Sequence, residues 1–244
     1  MKKNIKFSAT LSALLLITTV VHSNDDAPKR ALKTNYQTLY NKAPQSVENV
    51  VEMFKEGTFY GRLRSNTFYY RWEKENSTQD THVITALGAS LIYKSATFSD
   101  LDFTTGLYYS QSFFDDGANP VGQLKPGKDL LSRYDYANTG NKSMAALGEA
   151  YVSYKGVKKT ELSVGRQLVE TFYTASNDTK MIPNTFDGIV AQTKVLKGTE
   201  IKIAYLAKQK LRDHTQSHSV LAYGDSNSSS SLSPAWSEND DSAM

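Results

Sequence analysis

From Gly57 onward the apolar residues of this chain recur at every second position in seven successive segments. The links between those segments alternate short and long. A period of two places alternate side chains on opposite sides of a β-strand, so each segment reads as a strand with two unlike faces. In the first, Phe59 and Leu63 share one face while Arg62, Arg64 and Asn66 share the other. One face of the second holds Val83, Leu87, Ala89, Leu91 and Tyr93, and one face of the third Leu101, Phe103, Leu107 and Tyr109. Met144, Ala146, Ala150, Val152 and Tyr154 share a face in the fourth, and Leu162 and Val164 in the fifth. The sixth, 186–195, alternates poorly. In the seventh, Ile201, Ile203, Tyr205 and Ala207 oppose Lys202, Lys208, Lys210 and Arg212. The short links are 95–100, 155–159 and 196–199; the long ones are 73–80, 113–141, 170–185 and the stretch after Arg212.

This parity separates two all-β architectures. A transmembrane antiparallel β-barrel has short turns on its periplasmic side and longer loops outside. A secreted, soluble β-sandwich binding module, with tyrosines as stacking platforms, is the alternative, and nothing in a sandwich calls for such parity. The N-terminus supports export in either case. Lys2, Lys3 and Lys6 precede an apolar run from Leu11 to Val21, and Val21-His22-Ser23 suits a cleavage site, so residues 1–23 read as a signal peptide. After that point no apolar run approaches the ~18 residues of a helical span. With 0 cysteines the chain has no disulfides and no thiolate metal site. In lipid every backbone polar group must pair within the protein, which leaves the closed barrel as the spanning option. Removing the signal takes 3 of the 28 basic residues and leaves them matched by 25 acidic ones. The basic balance is therefore no sign of a nucleic-acid partner.

The N-terminal segment, 24–56, does not alternate. Residues 24–44 read as polar and poorly ordered, and Val47, Val50, Val51 and Phe54 as a short amphipathic helix on the periplasmic side, with Ser46 as its N-cap and Gly57 beyond its end. The helix is expected to pack at the barrel mouth.

The link 170–185 is long, polar and yet apolar at Phe172, Tyr173, Met181 and Ile182, which are expected to anchor it. It follows Gly165-Arg166-Gln167-Leu168, carries Asn177-Asp178-Thr179-Lys180, and ends on Pro183-Asn184-Thr185-Phe186-Asp187-Gly188. From Gly165 to Arg212 these residues resemble the OprD-type outer-membrane porins, and the similarity continues more loosely over 57–164. The resemblance implies a passive, substrate-selective diffusion channel in the outer membrane of a Gram-negative bacterium. It implies that 170–185 is the constriction loop, with Asn177, Asp178 and Lys180 in the solute path. It also implies a wall of basic side chains guiding a solute carboxylate, for which Arg62, Arg64, Lys202 and Lys208 are the candidates. Such families close a barrel of about 18 strands, so seven strands read as the N-terminal part of an incomplete barrel. The partners implied are small water-soluble solutes, carboxylate-bearing ones above all, and outer-membrane lipid; the residues leave the oligomeric state open.

The basic residues of the strands carry an independent argument. A Lys or Arg facing lipid at mid-bilayer costs about 2–4 kcal/mol, so these side chains must face the lumen or lie near the headgroups. For Lys208, Lys210 and Arg212 both positions remain open. Elsewhere the chemistry is sparse. There is no nucleophile elbow, HExxH, P-loop or dinucleotide fingerprint, so neither an enzyme nor a cofactor is expected. His214 and His218 are four apart beside Asp213 but open a Ser/Asn-rich stretch and read as solvated. The Asp100/Asp102 pair reads as solvated too.

Overall fold

The computed structural model describes residues 30–71, 73–74, 81–115, 130–132, 135–136, 139–220, 223–224 and 236–237. The signal segment 1–23, most of the long link 113–141 and the serine-rich 226–234 lie outside the described residues. In chain order the elements are β1 (Arg30–Leu32), β2 (Thr38–Tyr40), β3 (Ser46–Val47), α1 (Val50–Lys55), β4 (Thr58–Tyr70), β5 (His82–Lys94) and β6 (Thr97–Phe98). There follow β7 (Leu101–Asp115), β8 (Ser143–Tyr154), β9 (Thr160–Gln167), β10 (Thr185–Thr193), β11 (Ile201–Lys210), β12 (His218–Ser219), β13 (Tyr223–Gly224) and β14 (Trp236–Ser237).

The seven long strands β4, β5, β7, β8, β9, β10 and β11 pair antiparallel, each with its neighbour in this order, and β12 extends the far edge. All three short turns fall at one end of the sheet and all three long links at the other. Among the described residues no pairing joins β4 to β12, so the sheet is open.

The outer face is apolar and uncovered. Leu63, Leu87, Leu91, Leu107, Val152, Val164, Ile203 and Tyr205 are all exposed, Leu63 to 89%. An apolar band of this extent across seven strands is far larger than a soluble monomer leaves in water, and matches the lipid-facing side of a barrel wall. The opposite face carries Arg62, Arg64, Ser90, Lys94, Asp102, Thr104, Ser110 and Glu149, partly or fully buried. Burial there comes from chain that folds back over the sheet. Ile84, Ala86, Ile92, Tyr108, Met144 and Ala146 of the strands pack with Leu130, Leu131, Met181 and Ile182 of two long links. The core thus lies between the inner face of the sheet and its own links, not between two sheets.

Three details depart from the sequence expectations. In β8 the apolar set does not stay on one face. Met144 and Ala146 point to the buried inner face, whereas Val152 and Tyr154 are exposed. The register shift that pairs Gly106 with Glu149 but Leu107 with Leu147 supplies the reason. One extra residue on β8 changes the phase of the alternation and increases local twist. Second, residues 30–40 are an ordered antiparallel hairpin in which Arg30, Ala31 and Leu32 pair with Tyr40, Leu39 and Thr38. The polar side chains that suggested disorder are hydrogen-bonded to the sheet and to a loop. Third, α1 is capped by Asn49, whose Oδ1 accepts from the Glu52 amide at 2.9 Å, and not by Ser46. Ser46 and Val47 are committed instead to parallel pairing with Thr97 and Phe98. As expected, the helix packs at the short-turn rim: the Tyr93 hydroxyl donates to the Phe54 carbonyl at 2.6 Å, and the Phe54 and Phe103 rings lie 5.4 Å apart.

β10 alternates poorly because part of the inner face is apolar at that point. Phe186 and Val190 point inward onto Val169 and Leu206, while Ile189 is exposed on the outer face. Apolar residues on both faces erase the period-two signal.

Candidate functional site

The segment between β9 and β10, 168–184, leaves the long-link end of the sheet and crosses its inner face as far as β4. In the sheet β4 is separated from β9 by β8, β7 and β5. At about 4.8 Å per strand, contacts between this loop and β4 require the loop to bridge the concavity. Two devices hold it there. Met181 and Ile182 are fully buried in the inner core, which at roughly 1.5–3 kcal/mol per side chain is a strong anchor. Gly88 makes room for it, since a Cβ at that position would lie 2.6 Å from Met181 Sδ. The other expected anchors do not act as such. Phe172 and Tyr173 are 101% and 88% exposed. The tight turn Thr171–Thr174, closed by the Thr171 amide donating to the Thr174 carbonyl at 3.0 Å, turns both rings away from the sheet.

The polar centre of the loop is Asp178, 2% exposed. Its carboxylate takes a salt bridge from Arg62 Nη2 on one oxygen and from Arg64 Nη1 on the other, the latter at 2.8 Å. Arg64 Nη1 also donates to the Asp178 and Lys180 carbonyls, at 3.0 and 2.5 Å. Arg62 Nη1 donates to the Tyr36 carbonyl at 2.7 Å. Two guanidiniums share one carboxylate, so the cluster carries one net positive charge. Arg62 Nε, Arg64 Nε and Arg64 Nη2 are buried without a hydrogen-bond partner among the described residues. Burial raises the Asp178 carboxyl pKa, and the two arginines oppose that shift.

The remaining sequence candidates divide. Asn177 shapes the loop, its Oδ1 accepting from the Thr179 amide at 2.8 Å. The Lys180 ammonium sits 4.0 Å above the Phe68 ring. Lys202 Nζ donates to the Glu170 carbonyl at 3.3 Å, so it too touches the loop. Lys208 is exposed near the long-link end of β11, opposite Asp187 and Ser219, and is not brought into the arginine cluster. Lys210 marks no headgroup boundary. It is fully buried and donates to the Leu211 and His214 carbonyls at 3.0 and 3.3 Å. His214 and His218 are buried as well, with rings 5.3 Å apart, because the chain folds back after β11 to pair as β12. Asp102 is 1% exposed, bridged to Lys94 at 3.0 Å and to Lys155. Its neighbour Asp100 stays exposed on the adjacent turn.

Several residues escaped the sequence reading. Glu170 Oε1 gathers the Ser176 amide at 2.7 Å, Gln37 Nε2 at 2.9 Å and Asn35 Nδ2 at 3.3 Å. Glu149 is buried on the inner wall and accepts from the Tyr108 hydroxyl at 2.8 Å. A cavity of about 230 Å³ lies between wall, loop and N-terminal hairpin, with Lys33, Gln37, Tyr40, Glu149, Glu161 and Lys202 among its lining. Burial pushes the Tyr40 phenol up to about 12, which keeps it a hydrogen-bond donor. The polar, inward-facing period of β8 signalled Glu149 only once its bulge was known. Nothing local signalled Gln37. Among the described residues no cluster of three or more His, Cys, Asp or Glu could hold a metal.

Residues 122–238 of the chain match the family described as outer membrane porin, OprD family. No curated protein sequence matches. Among solved structures the chain is similar to Pseudomonas aeruginosa OccK9 (OpdG), with 20% identity, a TM-score of 0.55, and coverage of 75% of this chain and 45% of that one. For Acinetobacter baumannii OccAB1 the identity is 17% and the TM-score 0.54, covering 72% of this chain and 40% of that one. For Pseudomonas aeruginosa OpdK, solved with vanillate, they are 15% and 0.52, covering 70% and 41%. The chain thus spans less than half the length of these porins. The resemblance read from Gly165 to Arg212 lies within the family match, and the open sheet has the fold of part of the wall of a transmembrane antiparallel β-barrel of the Gram-negative outer membrane.

Proposed function

We propose that this OprD-like chain forms part of the wall and the constriction of a passive outer-membrane channel for small water-soluble solutes, with carboxylate-bearing solutes preferred. The observation that carries this reading is the Arg62–Asp178–Arg64 cluster. Two guanidiniums on the first wall strand meet a single carboxylate on the inward loop, which leaves one net positive charge beside the solute path. Charged side chains held at a narrow point are how pores select among ions, and a guanidinium matches a carboxylate with two parallel hydrogen bonds. Lys202 at the other root of the loop adds a second cation to the path, and Lys208 a third toward the long-link end. Asn177 and Lys180 keep the loop in the conformation that presents Asp178. OpdK, solved with vanillate, is one similar structure that holds an aromatic carboxylate.

A soluble sandwich with a glycan-binding face is disfavoured by the uncovered apolar outer surface and by the core position beneath inward links. The test is electrical. In the full-length channel reconstituted in planar bilayers under a salt gradient, Arg62→Gln with Arg64→Gln should move the reversal potential toward cation preference. An unchanged reversal potential in a channel that still conducts places the two arginines outside the ion path and defeats the proposal.

A further inference from the structure

We infer that the hairpin Arg30–Tyr40 is a second constriction element, lying within the channel and positioning the loop that carries Asp178. This rests on the channel reading and assigns pore-lining residues beyond it. The hairpin lies against the polar inner face of β4. Arg30 Nη1 donates to the Phe59 carbonyl at 2.7 Å, and its guanidinium stands 5.0 Å from the Tyr60 ring centroid. At the hairpin's turn, the Asn35 carbonyl accepts from the Asp178 amide at 2.9 Å, and the Tyr36 carbonyl accepts from Arg62 at 2.7 Å. Tyr36 holds a left-handed backbone, φ 61°, which aims these two successive carbonyls at the arginine cluster.

Gln37 completes the clasp. It is 5% exposed, and its Nε2 donates both to Glu170 Oε1 at 2.9 Å and to the Ser176 carbonyl at 2.7 Å. The loop's own closure depends on the same carboxylate, since Glu170 Oε1 also accepts the Ser176 amide. The N-terminal segment therefore joins three things: the root of the constriction loop at Glu170, its tip at Asp178, and the wall arginine Arg62. A buried amide with both hydrogen bonds satisfied by loop groups positions that loop, and its loss leaves buried acceptors unpaired. Tyr36 at 51% and Leu39 at 44% are the exposed large hydrophobic side chains of the hairpin besides Leu32. Asn35 and Gln37 are thus positioning residues for the arginine–aspartate cluster, and Tyr36 and Leu39 border the solute path.

The chain has no cysteine, so a single thiol within it can be modified without background from it. In the full-length channel carrying Tyr36→Cys, a negatively charged, membrane-impermeant methanethiosulfonate should cause a stepwise loss of unitary conductance that dithiothreitol restores. The same reagent on Leu63→Cys, exposed on the outer face, should change nothing. Gln37→Ala should increase open-channel current noise and move the reversal potential toward anions as Asp178 loosens from its arginines. A purely structural role for Gln37 would lower the yield of folded channel and leave both readings of the folded fraction unchanged. Conducting channels in which thiol modification of the Tyr36→Cys variant has no effect, or in which Gln37→Ala has wild-type noise and selectivity, overturn the inference alone. Absence of any unitary current from the unmodified protein overturns the channel reading and this inference with it.

Discussion

Replacing Asp178 by Asn removes the one carboxylate shared by Arg62 and Arg64 while keeping its size. The cluster then carries two net positive charges in place of one. For a solute carboxylate about 5 Å from the added charge, Coulomb's law gives about 0.8 kcal/mol at the permittivity of water and about 3 kcal/mol at an effective value near 20. The lower figure corresponds to roughly a fourfold gain in anion occupancy at the constriction; the higher exceeds a hundredfold. Screening over about 8–10 Å at physiological salt favours the lower end in a water-filled path. The substitution also costs stability. Asp178 is 2% exposed and its partners are 12% and 13% exposed at their side chains. Removing one member of a buried pair costs about 3–5 kcal/mol; because both arginines retain some solvent, the lower end of that range applies. The assay is paired: electrophoretic heat-modifiability for assembly, and reversal potential in a salt gradient for selectivity. Asp178→Asn should assemble, soften at a lower temperature, and be more anion-selective than wild type. A shift toward cations, or none, in a normally assembled channel would refute the claim that Asp178 holds back the charge of Arg62 and Arg64.

The loop's anchorage gives a contrast of two substitutions. Met181→Ala should destabilise the assembled protein by about 2–5 kcal/mol through loss of buried volume, whereas Phe172→Ser, at a fully exposed side chain, should stay within about 0.5 kcal/mol of wild type; equal melting temperatures for the two in denaturation followed by tryptophan fluorescence would count against the buried anchor. At the short-turn end, Asp102→Asn leaves Lys94 and Lys155 without their shared carboxylate and should lower the denaturation midpoint by an amount equivalent to about 3 kcal/mol, while reversal potential changes less than in Asp178→Asn because the constriction is intact.

Much of this architecture is legible in the amino-acid sequence. The outer-face residues of β4, β5, β7 and β11 follow from alternation, although Ile84, Ala86 and Ile92 of β5 and Leu206 of β11 make parts of the inner face apolar as well. The parity of links placed all short turns at one end. Where alternation failed, the physics was local and specific. β8 carries an extra residue opposite Gly106 and Leu107, which flips Met144 and Ala146 inward relative to Val152. Strand faces read at period two have no means of registering such an insertion. β10 packs Phe186 and Val190 under the loop root, so its inner face is as apolar as its outer one.

The candidate site shows the same division. Arg62 and Arg64 could be assigned to one polar face, and Asp178 to an inward loop, from spacing and resemblance. That the two arginines are spent on Asp178 is a tertiary fact, since 114 positions separate Arg64 from that residue and three strands separate their elements in the sheet. Asp102, His214, His218 and Lys210 looked like solvated or boundary groups because polar residues in or beside links usually are. They are buried because links, the 30–40 hairpin and the segment after β11 pack back against the sheet, and each then needs a partner: Asp102 finds two lysines and Lys210 finds carbonyls. The N-terminal segment is the clearest case. Its polar composition excludes an independent core, and taken alone it reads as unstructured. Only the assembled sheet and the crossing loop supply Glu170, Ser176, Asp178 and Arg62, the partners that repay the entropy of ordering a polar hairpin. Period and composition determine which faces meet lipid and which meet water; long-range closure decides which polar groups meet each other, because hydrogen-bond partners far apart in the chain leave no periodic trace in it.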